Sequence, residues 1–491
     1  MKKWIAVLCA VTLVISATGC EQSEEETVKN ILNEKLSGEI TVSCYDTMSY
    51  KDALEKAAKA FEKKNPGTKI NIECFAPMPE QKEMEDGGAT IVTMTAGDDE
   101  QQRTDYISKI NTELMSGKGS DILAMDVLPY YKYADGGQLE NLQNYMDADS
   151  SFDIKDYRKN ILDAMEYKGG QYILPLDYMF YYLTYDTSLF DENEKQSLQN
   201  NSKFTYNQLI EAGKIPFQRV NKNSDGQIKM FDEFADAGML RELLSADYEK
   251  FIDVKNRKVN LTDGSFVKLL KSVKKYGEDG YLKLDSGSNE FSMEDYKKMT
   301  QAKYIYRTKG NFFLLDEAFK RVGIDPENSF DVMAGDESND KLLGLLTNKE
   351  GNINFKYTQA YGINSNSENK GLAWAFIKFL IDGNTQSFSI GLPINNEACL
   401  EKCKSDILGL SLGENTMDQQ GKELTEEQKK VYETYKKLIE KYSASLNCCP
   451  IKDDTIDTMI EKEVSYYFDG SKTANEVANI LQKKIELYLN E

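Results

Sequence analysis

The chain contains no histidine among its 491 residues. This absence excludes general acid–base catalysis by histidine, Ser–His and Cys–His nucleophile pairs, and metal sites with histidine ligands. Basic residues are also too few to balance the acidic ones: 60 Lys and Arg oppose 81 Asp and Glu, for a formal net charge of -21. Because an acidic surface repels phosphate backbones, we expect no nucleic-acid partner.

Tryptophan is nearly absent as well, with 2 residues, whereas tyrosine and phenylalanine number 29 and 21. Trp374 lies on a predicted amphipathic helix beside Phe376 and Phe379, a pattern that places it in the core. A surface that stacks on sugar rings must therefore use tyrosine or phenylalanine.

The apolar run at residues 4–15 is too short to span a bilayer, which needs roughly 20 residues. It follows two lysines and precedes small residues, which is typical of a secretory signal. The segment ATGC, which ends at Cys20, resembles the bacterial lipobox, with Ala17 where leucine is commonest. We predict a signal peptide over residues 1–19, a lipid on Cys20 and an acidic tether over residues 20–38. The alternative is an ordinary secreted protein that is cut nearby.

Beyond that region the sequence has six cysteines, which an exported protein could join in fifteen complete pairings. A four-residue spacing and an adjacent pair would suit a thiolate metal cluster. However, there is no C-x-x-C motif, and a chain of this length can form a sufficient hydrophobic core without disulfide bonds. Core thiols, disulfides and metal ligands all stay open for Cys44, Cys74, Cys399, Cys403, Cys448 and Cys449.

The length predicts two or three domains rather than one core. The segment EITVSCYD has the β-branched residues of a strand, and KINIECF alternates as a second strand. Between them Leu54, Ala57, Ala58 and Phe61 form the apolar stripe of a helix. A strand, a helix and a strand over this length predict a parallel sheet in an α/β domain.

The segment SGKGSD, residues 116–121, has the glycines and lysine of a phosphate-binding loop but not its pattern. That loop needs G-x-x-x-x-G-K-[ST] after a strand and before a helix. Here a helical pattern precedes the glycines, and the apolar run DILAM follows them. We predict that Gly117 ends the helix in the left-handed conformation and that the next strand ends at Met125 and Asp126.

Four segments follow one another along most of the chain: SGKGSDILAMD with YADGGQLENLQNYM, GGQYILPLDYMFYYLTYDTSLF, AYGINSNSENKGLAWAFIKFLID, and YYFDGSKTANEVANILQKKIELYLNE. Together they resemble the motifs of bacterial ABC-transporter solute-binding proteins of extracellular family 1, which include maltodextrin-binding proteins. Asp186 and Ser120 depart from that pattern, where Asn and Pro are usual.

The resemblance implies an α/β fold of the two-domain, clam-shell type, in which a hinge closes on the ligand and the permease reads the closure. The implied chain crossings lie near residues 175–182, near residues 356–362 and after Pro393. The implied domains are residues 39–176 with 358–396, and residues 177–357 with 397–491.

Ligands of open α/β sheets bind beyond the carboxyl ends of the strands, near such crossings. Carboxylates there can accept two sugar hydroxyls at once, and aromatic rings can stack on sugars. Helix capping and core packing are the structural alternatives. The segment YRTKGNFF resembles the binding loop of the family's second domain. The predicted ligand contacts are Tyr45, Asp46, Met125, Asp126, Tyr130, Asp177, Tyr178, Arg307, Asn311 and Phe312.

The segment NKNSDGQIKMFD, residues 221–232, has Asn and Asp at the spacing of a calcium loop. Its first ligand is Asn rather than Asp, and its last is Asp where a bidentate Glu is expected. A hairpin turn at NSDG explains it more simply. We therefore predict no metal and no cofactor.

The resemblance implies a monomeric solute-binding lipoprotein on the outer face of the cell membrane, with no catalytic step. It would pass a small polar solute, which we expect to be an oligosaccharide, to the permease of an ABC importer. The alternatives are a cell-surface glycoside hydrolase, since paired carboxylates can cleave glycosides, and a sensor subunit for a membrane kinase. An acid-rich cleft would also suit polyamines or cationic peptides, so the sequence leaves the solute and the physiological output open.

Overall fold

A computed structural model describes residues 24–45, 50–75, 83–86, 89–92, 100–222, 228–232, 237–282, 303–324, 339–384, 391–412 and 423–490. The predicted signal peptide, the lipid on Cys20 and the ligand contact at Asp46 lie outside these residues and stay predictions.

Two five-stranded sheets dominate the described part of the chain, in the orders β2-β1-β5-β15-β6 and β10-β13-β8-β14-β9. Short two-stranded pairs are β7 with β16, β11 with β12, and β3 with β4. In chain order the strands are β1 (Gly38–Tyr45), β2 (Thr68–Phe75), β3 (Glu83–Asp86), β4 (Ala89–Val92), β5 (Ile122–Ala124), β6 (Leu174–Pro175), β7 (Asp177–Tyr178), β8 (Tyr181–Asp186), β9 (Lys203–Phe204), β10 (Ile228–Phe231), β11 (Ile252–Asp253), β12 (Lys258–Val259), β13 (Lys303–Gly310), β14 (Asp340–Leu346), β15 (Ala360–Ile363) and β16 (Leu392–Pro393).

Helices connect these strands and pack on them. In chain order they are α1 (Glu24–Asn33), α2 (Tyr50–Lys64), α3 (Glu100–Met115), α4 (Tyr130–Asp135), α5 (Leu142–Ala148), α6 (Lys159–Ala164), α7 (Glu192–Gln199), α8 (Tyr206–Asn221), α9 (Ala237–Ala246), α10 (Tyr248–Phe251), α11 (Ser265–Glu278), α12 (Leu314–Val322), α13 (Lys370–Phe379), α14 (Asn396–Leu412), α15 (Glu426–Ser443), α16 (Asp454–Phe468) and α17 (Ala474–Asn490).

The first sheet begins with the predicted strand–helix–strand unit. β1 runs parallel to both β2 and β5, which confirms the predicted parallel arrangement. β15 is antiparallel to β5 and β6, so the sheet is mixed toward its other edge. α2 joins β1 to β2 and buries its whole apolar stripe, as predicted: Leu54, Ala57, Ala58 and Phe61.

The glycine turn after α3 is built as predicted. Gly117 has φ of +69°, in the left-handed region, and its N–H bonds the Leu114 carbonyl at 3.0 Å. The Lys118 N–H reaches back to the Glu113 carbonyl at 2.9 Å, which completes the helix cap. The chain then enters β5, whose three residues are all buried. The turn therefore positions a core strand, and no helix N-terminus follows it that could hold a phosphate.

The second sheet has a different topology. Its central strand, β8, pairs antiparallel with β13 on one side and with β14 on the other. β10 lies parallel to β13 at one edge, and β9 lies parallel to β14 at the other. The C-terminal helices α16 and α17 pack against α9 and α11, and α15 packs against α12, so they belong to this half of the molecule.

The chain passes between the two sheets at three crossings. β7 pairs with β16, and a bridge joins Met179 to Lys356, so the first crossing contacts the other two. Strands of the first sheet fall in predicted domain 1, beginning one residue early at Gly38, and those of the second sheet fall in predicted domain 2. The residue limits of the domains stay a prediction.

The segment predicted as a tether, residues 20–38, includes a helix that packs on the fold. Residues Glu24–Asn33 form α1, which packs against α5 and α13. Val28 is 5% exposed, and a Cβ on Gly371 of α13 would lie 3.0 Å from the Ile31 carbonyl oxygen. Val28, Ile31 and Leu32 have the spacing of a helix face, and burial of that face holds the segment on the fold.

All six cysteines that the structure describes are free thiols, and the described residues contain no cluster of three or more His, Cys, Asp or Glu that could hold a metal ion. Trp374 is 1% exposed, as predicted for a core residue, and its indole N–H donates to Asp149 Oδ2 at 2.9 Å.

The hairpin turn predicted at NSDG, residues 223–226, lies outside the described residues. α8 ends at Asn221, and β10 begins at Ile228 and runs parallel to β13, so the segment joins a helix to a strand. The Asn221 amide donates to the Ile228 carbonyl at 3.0 Å, and the Asp232 carboxylate accepts from the Thr308 N–H at 3.2 Å. Residues 223–227 lie outside the described residues, and the calcium alternative is untested there.

Candidate functional site

A cleft of about 420 Å³ opens between the two halves of the molecule. The first half contributes Ile107, Met125, Asp126, Val127, Leu128 and Pro129. The first two crossings contribute Met179, Tyr181, Asn354, Phe355, Lys356 and Tyr357. The second half contributes Tyr206, Arg241, Glu242, Ser245, Ala246, Leu346, Thr347, Asn348 and Asn352. The segment before α16 and its first turn contribute Cys449, Pro450, Lys452, Asp453, Asp454 and Thr455.

The wall from the first half follows the buried strand β5. Met125 comes directly after the strand, is 1% exposed, and its N–H bonds the Ala360 carbonyl of β15 at 2.8 Å. Asp126 follows it into the cleft, and Leu128 and Pro129 continue the wall up to α4. The fold therefore places one carboxylate among mostly apolar side chains at the carboxyl end of a parallel strand.

The crossings form an aromatic floor. Tyr181 begins β8 and is 38% exposed, an unusually open position for a large ring in this protein. The Lys356 ammonium donates to the Tyr181 hydroxyl at 3.0 Å and lies 5.1 Å from the ring centroid. Tyr357 is next to it, and burial raises the pKa of its hydroxyl well above the ordinary value. The Tyr357 hydroxyl therefore keeps its proton at physiological pH and can donate a hydrogen bond.

Three asparagines lie along one side of the cleft: Asn348 and Asn352 in the second half and Asn354 on the second crossing. The Asn348 amide donates to the Ala246 carbonyl at 3.1 Å, and its Oδ1 accepts from the Asn352 N–H at 2.8 Å. The Asn354 amide donates to the Ser245 carbonyl at 2.6 Å. The Asn348 and Asn354 side chains are thus hydrogen-bonded to the last turn of α9. These bonds hold two neutral amides along this side of the cleft.

The two halves are joined beside the cleft by Asp453, the N-cap of α16. Its carboxylate accepts from the Thr455 N–H at 2.9 Å and from the hydroxyls of Tyr131 on α4 and Tyr488 on α17, at 2.7 and 2.9 Å. Burial, together with the charge of Asp453, raises the pKa of Tyr131, so its hydroxyl stays a donor.

An ion pair crosses between the halves at the next residue. Arg103 Nη1 of α3 lies 2.6 Å from Asp454 Oδ2 of α16. Burial raises the pKa of Asp454 above its ordinary value, and Arg103 opposes that rise. These contacts hold the two halves together on one side of the cleft.

Of the predicted ligand contacts, Met125 and Asp126 line the cleft, and Asp177 does not. Asp177 is fully buried in the first crossing, where its carboxylate accepts from Thr358 N and Thr358 Oγ1 at 2.8 and 2.5 Å. A Cβ on Gly391, at the third crossing, would lie 2.6 Å from its Cγ. Asp177 thus ties the three crossings together, and burial raises its pKa to about 6.

The predicted aromatic contacts are core residues. Tyr45 is 1% exposed and packs between Phe75 and Tyr106. Tyr178 is fully buried, with its hydroxyl 2.7 Å from Ser443 Oγ. Tyr130 is 7% exposed and packs edge-on against Tyr167. Core packing, the structural alternative, explains all three.

The residues predicted from the YRTKGNFF segment also lie away from the cleft lining. Arg307 forms a buried ion pair with Asp340 at 2.6 Å. Asn311 is fully buried and accepts from the Phe180 N–H at 3.1 Å. Phe312 packs against Phe313 with ring centroids 4.2 Å apart. Arg307 Nη1 and Asn311 Oδ1 bond within the protein, and neither residue lines the cleft, so we assign them no ligand contact.

Sequence reasoning missed the aromatic floor, the asparagine wall and the residues around Asp453. A signal existed for the floor, because Tyr181 and Lys356 lie in the predicted crossings and adjoin further aromatic residues. The segment CCPIKDDT carries no sequence pattern that links it to the other cleft residues, which lie between Ile107 and Tyr357 in the chain.

Two sheets joined by three crossings, with a cleft between them, define the two-domain fold of the periplasmic binding proteins. The sugar-binding protein MalE from Xanthomonas citri has this fold, with 12% identity, a TM-score of 0.57, and coverage of 92% of this chain and 98% of that chain. An extracellular solute-binding protein of family 1 from Alicyclobacillus acidocaldarius has 16% identity, a TM-score of 0.54, and coverage of 94% and 100%. An ABC substrate-binding protein from Listeria monocytogenes, in complex with cycloalternan, has 16% identity, a TM-score of 0.51, and coverage of 93% and 100%. Similarity at these identities shows the fold alone.

The family follows from the sequence. The profile of the bacterial extracellular solute-binding proteins matches residues 84–397, more than half of the chain, and the chain belongs to this family. Membership makes it an exported solute-binding protein of the ABC-transporter type, as the resemblance implied. No curated protein sequence matches the chain. Within the described residues, no helix is long and apolar enough to cross a membrane.

Proposed function

We propose that this protein is a lipoprotein, anchored through Cys20 to the outer face of the cell membrane, that captures a neutral sugar and delivers it to the permease of an ABC importer. It performs no catalytic step. The sugar binds in the cleft between the two halves and closes them around the hinge at Asp177.

The charge balance of the cleft carries the proposal for a neutral solute. The whole chain has a formal charge of -21. The cleft lining has four carboxylates, Asp126, Glu242, Asp453 and Asp454, against three cations, Arg241, Lys356 and Lys452, so the two differ by only one charge. A polyamine or a cationic peptide would need a clear excess of carboxylates to offset its desolvation. The near balance favours an uncharged solute.

The chemistry of the lining favours a sugar among neutral solutes. The ring of Tyr181 offers an apolar face on which a pyranose can stack. On the opposite side the asparagine amides are neutral polar groups, which match hydroxyl groups better than they match ions. A cleft with a few fixed polar groups around apolar and aromatic surfaces is typical of small-molecule sites.

The position of the cleft supports a transport role. A ligand drives closure only by the extra affinity that it has for the closed state, which requires contacts to both halves. The cleft provides such contacts, because β5 supplies one wall and the end of α9 supplies the other. The Listeria monocytogenes relative was solved with cycloalternan, an oligosaccharide, in agreement with the proposal.

A thermal-shift screen tests the proposal. The purified protein is heated with glucose, maltose, maltotriose, raffinose and cycloalternan, and separately with spermidine and a cationic peptide. A sugar at about 100 times its Kd should raise the stability by about 2.7 kcal/mol. A shift with spermidine or the peptide and with none of the sugars would contradict the proposal.

Two further measurements separate the alternatives. Chromatography of each sugar after prolonged incubation should show it unchanged, whereas shortened products would indicate a glycoside hydrolase. Neighbouring permease genes favour import, and a neighbouring histidine-kinase gene favours sensing. The anchor is tested by Cys20→Ala, which should move the protein from the membrane fraction to the medium and prevent labelling with palmitate.

A further inference from the structure

Asn354 differs from the other asparagines of the cleft in how its side chain is used. It lies on the second crossing, and its Nδ2 donates to the Ser245 carbonyl at 2.6 Å. A carbonyl oxygen can only accept, so the amide nitrogen must face Ser245 and the amide oxygen must face away from it. This bond therefore fixes the orientation of the side chain.

The Asn354 Oδ1 has no hydrogen-bond partner within the described residues, although it is buried and its residue lines the cleft. Asn348 shows the contrast, because both ends of its amide are used: Nδ2 bonds the Ala246 carbonyl and Oδ1 bonds the Asn352 N–H. Asn348 is thus a structural residue, whereas Asn354 has a fixed acceptor, Oδ1, that could bond a ligand.

Leaving a buried acceptor without a hydrogen bond is unfavourable, and a donor brought by a ligand removes that cost. We propose that Asn354 determines the specificity of the cleft by accepting a hydrogen bond from a hydroxyl group of the bound sugar. This inference rests on the proposed function, and it adds the residue and atom that select for a hydroxyl.

Because Asn354 Oδ1 is a neutral acceptor, it favours a hydroxyl donor over an ammonium donor. An ammonium group must lose its hydration on entering the cleft, and an amide oxygen carries no charge to offset that loss. A hydroxyl loses less and gains a full hydrogen bond. Asn354 therefore selects polyols over polyamines, even in a protein with a formal charge of -21.

The matched variants Asn354→Leu and Asn354→Asp test the inference. Both lose the bond to the Ser245 carbonyl, but only aspartate keeps an acceptor at the position of Oδ1. Isothermal titration would measure the Kd of each variant for maltotriose, cycloalternan, raffinose, maltose, glucose and spermidine. Thermal unfolding would check that both variants fold.

We expect Asn354→Leu to weaken the binding of whichever sugar the unmodified protein binds, on the order of tenfold or more. Asn354→Asp should retain more of that affinity than the leucine variant, and it should improve the binding of spermidine relative to the sugar.

Three outcomes would overturn the inference. Equal losses in the two variants would mean that Asn354 acts only through Ser245. Unchanged sugar affinity in Asn354→Leu would mean that Oδ1 does not contact the sugar, and the proposed function would stand without this residue. Binding of spermidine and of none of these sugars by the unmodified protein would overturn both.

Discussion

Two cavities within the described part of the chain have nearly equal volume, about 420 Å³ for the cleft and about 410 Å³ for a second cavity within residues 143–171. The second cavity lies wholly in the first half, and Asp147, Asp153, Asp163 and Glu166 stand around it against one lysine, Lys159. The cleft has walls from both halves and an exposed tyrosine at its floor.

The two cavities differ in position and chemistry but not in volume, and the first two properties are the grounds for proposing the cleft as the ligand site. A solute in the second cavity would contact one rigid half and could not shift the equilibrium between open and closed forms. A solute in the cleft contacts both halves and the hinge between them. Variants of the hinge, of the cleft floor and of the contacts between the halves test that difference.

The hinge, whose first two crossings supply part of the cleft lining, should show the largest effect through Asp177. Burial raises its pKa to about 6 from 3.8, so between these values the folded protein binds a proton that the unfolded chain has lost. Stability should therefore fall as pH rises from about 4 to about 6, by up to about 3 kcal/mol from this group. Well below pH 3.8 the Asp177 carboxyl is protonated in both the folded and the unfolded protein, so this group no longer makes stability depend on pH.

Asp177→Asn removes that dependence while it keeps the size of the side chain and an acceptor for Thr358. Urea unfolding at several pH values would give the difference in stability between the variant and the unmodified protein. Burial also raises the pKa of Asp457 to about 6, but Asp457 is present in both proteins and cancels. A difference that does not change with pH would contradict the role assigned to Asp177.

The aromatic floor should give the next largest effect. Tyr181→Ala removes the exposed ring of the cleft and should weaken sugar binding by about 2 kcal/mol, or about 30-fold. Tyr181→Phe keeps the ring and should keep most of the affinity. Titration calorimetry measures both.

The matched control for the second cavity is Glu166→Ala. Glu166 is exposed on the rim of that cavity, and this change should leave sugar affinity unaltered. A stronger loss of affinity in Glu166→Ala than in Tyr181→Ala would reverse the comparison between the two cavities.

The ion pair between the halves should give the smallest effect. Arg103 and Asp454 have side chains 28% and 37% exposed, so water screens their attraction. Arg103→Met should lower the free energy of unfolding by about 0.5 kcal/mol, and the loss should shrink at high salt. The pair Lys159–Asp163 rims the second cavity, is more exposed and lies within one helix, so Lys159→Met should cost less.

The sequence predicted the elements of the fold better than the site. Apolar periodicity located α2, β5 and α13, because each buries one face or both faces in a core. The turn at Gly117 followed from the positive φ that glycine adopts without strain. Each of these features depends on residues close together in the chain.

The site combines residues that are distant in the chain, and local patterns did not specify them. Met125 and Asp126, predicted at a strand end, line the cleft, but the same reasoning predicted a ligand contact at Asp177, where the structure shows a buried hinge residue. Tyr45 and Tyr178 were predicted as sugar platforms because exposure cannot be read from aromatic content. Only the packing of α16 and the end of α9 around the crossings brings Asn354 and Asp453 to the same cleft.

Hydrogen exchange with and without a bound sugar tests most directly whether the solute lies between the two halves. With the sugar that gives the largest thermal shift, we predict slower amide exchange in peptides that cover residues 125–129, 352–357 and 449–455. Peptides that cover residues 143–171, around the second cavity, should exchange as before. Protection confined to residues 143–171, with none at the cleft, would contradict the account.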